Sequence, residues 1–206
     1  MKHLNLCERI QSMALLRTLC IIFLLAGNSL AQGTKSKPQR LVDASRTKIG
    51  ITLVYDPSYQ AIKYPMGDVA PDRGVCSDVV IRAFRKGLRM DLQELVHLDM
   101  RNNFSKYPDN WGLKKTDRNI DHRRVPNLQT YFTRKGWKVP VTKNKDDYQP
   151  GDLVICRVAG RLPHIMIVSD KKSPKGVPLV IHNIGRGTRE EDTLFTYPIY
   201  GHFRIR

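Results

Sequence analysis

Apolar positions change their period along the chain. Residues 19–26 (LCIIFLLA) form an unbroken apolar run. From Val75 onward the spacing turns helical, through Val79, Val80, Ala83, Phe84 and Leu88 with Gly87 near the end, and predicts a helix beginning at about Cys76. Leu92, Leu95, Val96 and Met100 predict a second helix, and Leu128, Tyr131 and Phe132 a short one stopped by Gly136. Residues 41–51 suggest a short first helix, broken at Tyr55-Asp56-Pro57-Ser58-Tyr59 because the residue before a proline avoids the helical region. Residues 64–74 hold two prolines and two glycines and predict loop; residues 107–124, polar and with Pro108 and Gly112, predict a long ordered loop. The last third reads as strands, at 153–158, 165–169, 179–183 and 200–205, separated by Gly160, Pro163, Ser173-Pro174, Gly176, Gly185 and Gly187. Helices first and a meander of strands after predict an α+β fold, with N-terminal helices packed on one face of an antiparallel sheet.

The early apolar run has a different meaning. Lys2, Arg9 and Arg17 precede it, and Ser29-Leu30-Ala31 follows as a small-x-small cleavage site. This is the three-part pattern of a secretory signal peptide. The run is too short to span a bilayer, which needs about 20 residues. The expected organisation is a signal peptide over 1–31, a flexible leader over 32–40 (QGTKSKPQR) and one domain over 41–206. The protein is then expected to be secreted across the inner membrane, to be periplasmic or extracellular, and to keep no membrane span after signal removal. An uncut N-terminal anchor is the alternative. The length, 206 residues, suits a single domain, and 41% hydrophobic with 26% charged residues excludes disorder for the bulk of it. The formal net charge of +16 points to an anionic partner, which for a secreted protein means peptidoglycan or another anionic envelope polymer. The basic residues are scattered, with no stripe of Lys and Arg interleaved with aromatics, so a nucleic-acid groove is not expected.

Only Cys76 and Cys156 follow the signal segment, which is no disulfide framework. Cys76 falls at a predicted helix N-terminus, where the helix dipole and unpaired N–H groups favour a thiolate and can hold an oxyanion. A thiol nucleophile needs an imidazole and a group to orient it. His164 opens the run HIMIVSD, in which His164, Met166 and Val168 share one face. His182 lies in VIHNIG, and pairing of the two strands as a hairpin brings His164 and His182 side by side. Asn183 points to the other face and is the alternative third residue. Asp121, Arg123 and Arg124 lie in a densely polar stretch that reads either as a substrate wall with an arginine fork for a carboxylate or as a salt-bridged surface loop. Two bland readings of Cys76 stay open: a core residue, or a bridge to Cys156. No CxxC or HxxxH spacing occurs, so neither a metal nor a cofactor is expected.

Several of these segments carry a resemblance. Residues 73–80 (RGVCSDVV) resemble the Cys-Ser helix start of the NlpC-type branch of papain-like cysteine peptidases. Pro150-Gly151-Asp152-Leu153-Val154, followed by His164-Ile165-Met166-Ile167-Val168, resembles that superfamily's PGDLV…HVGIV segment, and Ile181-His182 its third-residue strand. The span of roughly 41–206, including NIDHRRVPNL at 119–128, further resembles a family of secreted bacterial proteins known only as a domain of unknown function. The superfamily resemblance implies a papain-like (NlpC-type) fold and hydrolysis of amide bonds in peptidoglycan stem peptides without a metal. Cys76 would attack, His164 would accept and return the proton, and His182 would hold the ring. Backbone N–H groups near Cys76, with Ser77, would bind the oxyanion, and Tyr59 or Tyr64 would add a hydroxyl. Asp78 stands where the family has glycine, and residues 170–178 must form a generous turn.

The leading expectation is therefore a cysteine peptidase or amidase acting on the cell wall. The rivals are a non-catalytic envelope-binding module on the same fold, and a secreted nuclease using His122 or His164.

Overall fold

The structure is a computed structural model, and it describes residues 35–206. The expected signal segment lies outside these residues. The first helix, α1 (Lys37–Arg46), starts earlier than the apolar pattern predicts, within the expected flexible leader. Ser36 caps it by accepting from the Gln39 amide, and Pro38 suits its first turn. It buries Leu41, Val42 and Ala44 and ends at Arg46, short of the residue 51 expected.

Two short strands, β1 (Val54–Tyr55) and β2 (Arg73–Gly74), pair in parallel and lead into α2 (Cys76–Ala83). All eight residues of α2 are buried, so this is a central helix. It continues as a π-helical turn, Phe84–Leu88, and stops at Arg89, whose φ of 57° is left-handed. Asp91 caps α3 (Leu92–Asn102) by accepting from the Gln93 amide, and α4 (Val125–Arg134) follows with Pro126 in its first turn. A 3-10 turn at Asp121–Arg123 interrupts the expected long loop.

The remaining strands form one antiparallel sheet: β3 (Leu153–Val158), β4 (Leu162–Lys172), β5 (Pro178–Asn183), β6 (Thr188–Glu191) and β7 (Ile199–Phe203), in the order β6-β5-β4-β3-β7. The described chain is thus a mixed α/β fold with four helices and a five-stranded antiparallel sheet. Strand alternation sorts the side chains. Leu153, Ile155, Ile165, Ile167, Ile181 and Phe203 face the helices and build the main core with Val79, Val80, Phe84, Leu128 and Phe132. Val154, Cys156, Met166, Val168 and Val180 face the other way, onto a smaller core closed by Tyr148 and Leu194. In the PGD segment Asp152 is structural: it accepts from His202 at 2.8 Å and from Arg204 at 2.7 Å, tying β3 to β7.

Candidate functional site

Cys76 is placed by a lock on the chain just before it. Gly74 has φ 151°, and a Cβ there would lie 2.9 Å from Asp78 Oδ2, so the position requires glycine. The Asn183 side chain donates to the Gly74 carbonyl at 2.9 Å, and the Val75 amide donates to Asp78 Oδ2 at 2.7 Å. Asp78 also takes two hydrogen bonds from Arg123, at 3.0 Å each, in an ion pair buried on both sides. The Ser77 hydroxyl donates to the Arg123 carbonyl at 2.6 Å. The Asp78 carboxylate is therefore the anchor of the helix start.

Cys76 is 3% exposed. Burial pushes it up to about 11, against the backbone amides of Ile165, Ser77 and Cys76, which face the sulfur and favour the thiolate; Asp78 adds to the rise. The helix start was expected to lower this value. Desolvation wins because Cys76 is packed into the main core, so the resting thiol is protonated at neutral pH. Cys76 and Cys156 are both free, and the bridge between them is not formed. Cys156 lies on the second face of the sheet, opposite His164 in the β3–β4 ladder.

The imidazoles meet as the strand pattern predicts. The register Ile167↔Ile181 makes His164 and His182 diagonal neighbours on one face, with His164 Nε2 2.8 Å from His182 Nδ1. The ring of His182 then reaches β6: its Nε2 lies 3.3 Å from Glu191 Oε2 and 3.3 Å from Thr193 Oγ1. A carboxylate only accepts, so Nε2 of His182 carries the proton and its Nδ1 accepts from His164 Nε2–H. That leaves Nδ1 of His164 as the basic nitrogen. Burial holds His164 down to about 3, with His182 lowering it further, and burial also lowers His182 against the opposing pull of Glu191. No hydrogen bond joins Cys76 to His164, and the two side chains lie on opposite faces of the sheet: Cys76 packs in the main core with Ile165 and Ile167, whereas His164 alternates with Ile165 onto the face of Cys156, Met166 and Val168, and only the Ile165 amide faces the sulfur.

The other expected residues divide. Asn183 does not orient His164, because its side chain is bound to Gly74. The Ser77 hydroxyl is consumed by Arg123, leaving only its amide at the sulfur. Tyr59, 58% exposed, lines a cleft of about 660 Å³ that reaches Cys76, and its hydroxyl meets Asp117 and Asn119. Tyr64 does not line it; its ring packs on His97, centroids 5.1 Å apart. Asp121 is buried away from the cleft, accepts from the Asp117 amide at 2.5 Å, and is raised to about 6 by burial. Arg123 lines the cleft, but its guanidinium is spent on Asp78 and on the carbonyls of Ser58 and Asp56. Arg124 lies over the Trp111 ring at 4.1 Å and does line the cleft.

Four residues were not anticipated. Tyr55, Arg157 and Arg161 line the cleft, and Glu191 ends the imidazole chain. Burial, then the nearby Cys76, raises the Tyr55 hydroxyl to about 12. A hydroxyl next to the breaker at Pro57 was the available signal for Tyr55; nothing local marks the others. A larger cleft of about 820 Å³, between residues 141–143 and 195–199, holds no thiol, imidazole or carboxylate.

The chain is 55% identical over 164 residues to "Uncharacterized protein YijF" of Escherichia coli (strain K12), covering 80% of each. Among solved structures it is similar to NlpC1 from Trichomonas vaginalis, with a TM-score of 0.43 and 15% identity over 84% of this chain; it spans 45% of that chain. The family model described as "Domain of unknown function (DUF1287)" matches residues 42–205, and the chain belongs to that family.

Proposed function

We propose that this protein is a secreted cysteine amidohydrolase of NlpC-type, papain-like architecture, with Cys76 as nucleophile, His164 as base and His182 as the residue that orients it. The observation that carries this reading is the directed chain Glu191–His182–His164. It leaves a basic imidazole nitrogen on the residue just before the Ile165 amide that faces the helix-terminal thiol, with the His164 ring on the opposite face of β4. Chains of this kind, with base and orienter in hydrogen-bond contact, are the working parts of nucleophilic catalysis.

The resting pair is neutral. When a substrate amide fills the cleft, the start of β4 must turn to carry the His164 ring to the face of the thiol, where Nδ1 takes the thiol proton as sulfur attacks the carbonyl carbon. Negative charge develops on the carbonyl oxygen, and the amides of Cys76 and Ser77 at the helix start are the donors for it. His164 then protonates the leaving amine, a thioester remains on Cys76, and water activated by His164 releases the acid. The amide bonds of peptidoglycan stem peptides suit a basic protein that leaves the cytoplasm, and the domain that performs the reaction starts at about residue 37.

The test uses the full-length protein and its Cys76→Ala variant, each incubated with intact sacculi and defined muropeptides, with products weighed by mass spectrometry. Cleavage by the native protein alone supports the proposal, and the fragment masses name the bond. One observation favours a second reading, a non-catalytic envelope-binding module: the thiol is buried, raised to about 11, and without a hydrogen bond to His164. Equal sacculus binding by both proteins, with no new fragments from either, would establish that reading instead.

A further inference from the structure

The cleft above Cys76 is lined by four arginines and by no Asp or Glu. Arg123 is neutralised by Asp78. The other three differ in how they are held. Arg124 stacks on Trp111 at 4.1 Å and has Asp121 only at 3.4 Å. Arg157 lies over the Tyr200 ring at 4.6 Å. Neither Arg157 nor Arg161 forms an ion pair among the described residues. Stacking on a ring fixes the plane of a guanidinium and leaves its edge N–H groups free, which suits two-point binding of a carboxylate.

The backbone explains why these side chains reach the thiol. Arg157 shares its sheet face with Ile155, two residues earlier, and that is the face on which α2 begins. Arg161 closes the β3–β4 hairpin. The two central residues of the turn, Ala159 and Gly160, have φ of 48° and 71°, and the Arg161 amide donates to the Val158 carbonyl at 3.2 Å. Two positive φ values with that bond make the compact hairpin turn whose twist matches the strands. Arg161 is thus presented from a rigid element, two residues before Pro163, which lines the same cleft.

We propose that Arg157 and Arg161, with Arg124, form an anion subsite beside Cys76 that takes a free carboxylate of an acidic peptide substrate flanking the scissile amide. This deepens, and rests on, the cysteine-hydrolase reading. It makes Arg157 and Arg161 specificity-determining residues. Amidation of the substrate carboxylate abolishes the preference, because the subsite then receives a neutral group.

The first measurement does not need turnover. Rates of Cys76 alkylation are compared for iodoacetate and iodoacetamide, which differ by a carboxylate, in the native full chain, in Arg157→Gln/Arg161→Gln, and in Lys143→Gln/Lys175→Gln, which loses the same charge on exposed positions outside the cleft. The arginine variant is expected to react about tenfold more slowly with iodoacetate and within twofold of native with iodoacetamide, while the lysine variant keeps the native ratio. Equal effects on both reagents, the same ratio change in the lysine variant, or a thiol that neither reagent modifies would overturn the proposal. Hydrolysis of an Ala-Glu-containing peptide with free carboxylates, against its amidated form, then separates the two ideas. If neither peptide is cut while the alkylation selectivity holds, the hydrolase reading fails and the subsite stands.

Discussion

Replacing Glu191 by glutamine tests the imidazole chain at its far end without touching the thiol. The glutamine oxygen can still accept from His182 Nε2–H, and Thr193 Oγ1 remains 3.3 Å away as a second acceptor, so geometry and tautomer are kept and only the charge is lost. The carboxylate lies 3.3 Å from His182, and the two imidazole centroids are 5.0 Å apart. In the proposed mechanism, the charge that develops on His164 during proton transfer is therefore roughly 8 Å from Glu191, which at an effective dielectric of about 20–40 is worth about 1–2 kcal/mol. Glu191 is 34% exposed, which places the value toward the lower end. For the proposed hydrolase the expected result is a fall in kcat of about fivefold with KM little changed, since the interaction grows only in the transition state. Glu191→Ala should cost more, because it also loosens the tautomer. The assay is amide hydrolysis across pH, paired with ¹⁵N chemical shifts of the two histidines, which report which nitrogens carry protons. Activity of Glu191→Gln within twofold of native, or a His182 found protonated at Nδ1 in the native protein, would refute the directed-chain argument.

Three further outcomes follow from the same structure. Burial holds both His122 and His164 at about 3, below the unfolded value of about 6.5, so the unfolded chain binds more protons below that pH, and stability present above pH 6.5 is lost as pH falls toward 3. Asp121, raised to about 6 by burial, acts in the opposite sense between about pH 4 and 6; the net loss from pH 6.5 to 5 is about 2–3 kcal/mol, read as a lower urea midpoint, and His122→Gln should flatten it. Asp78→Asn leaves the buried Arg123 guanidinium without its counter-charge and should destabilise by about 3–5 kcal/mol in denaturant titrations, with much of the loss recovered in Asp78→Asn/Arg123→Met. Phe132, fully buried against Phe84, Trp137 and Phe203, should cost about 3–5 kcal/mol on change to alanine, with loss of near-ultraviolet dichroism from the ring cluster.

What the sequence by itself determined is whatever repeats along the chain. The period of 3.6 residues after Gly74 placed the helix start at Cys76, and alternation in HIMIVSD placed His164 on the face of Met166 and Val168. One hairpin between neighbouring strands was then enough to bring His182 to His164. Side-chain face is a local property of strand and helix, so these placements were legible, including the alternation that sets His164 on the face away from Cys76. The strand β6 was not: Thr-Arg-Glu-Glu has no apolar alternation, because an edge strand can pair through backbone hydrogen bonds alone. With β6 went Glu191. Only the tertiary structure decided the contacts between distant segments. Asn183 reaches Gly74 across 109 residues, and Arg123 reaches Asp78 across 45, and neither leaves a local mark. That Tyr55 lines the cleft beside the expected Tyr59 while Tyr64 does not was of this kind, as was the burial that lifts the Cys76 thiol against its helix. Desolvation depends on everything packed around an atom, and that is a sum over the fold that no window of sequence contains.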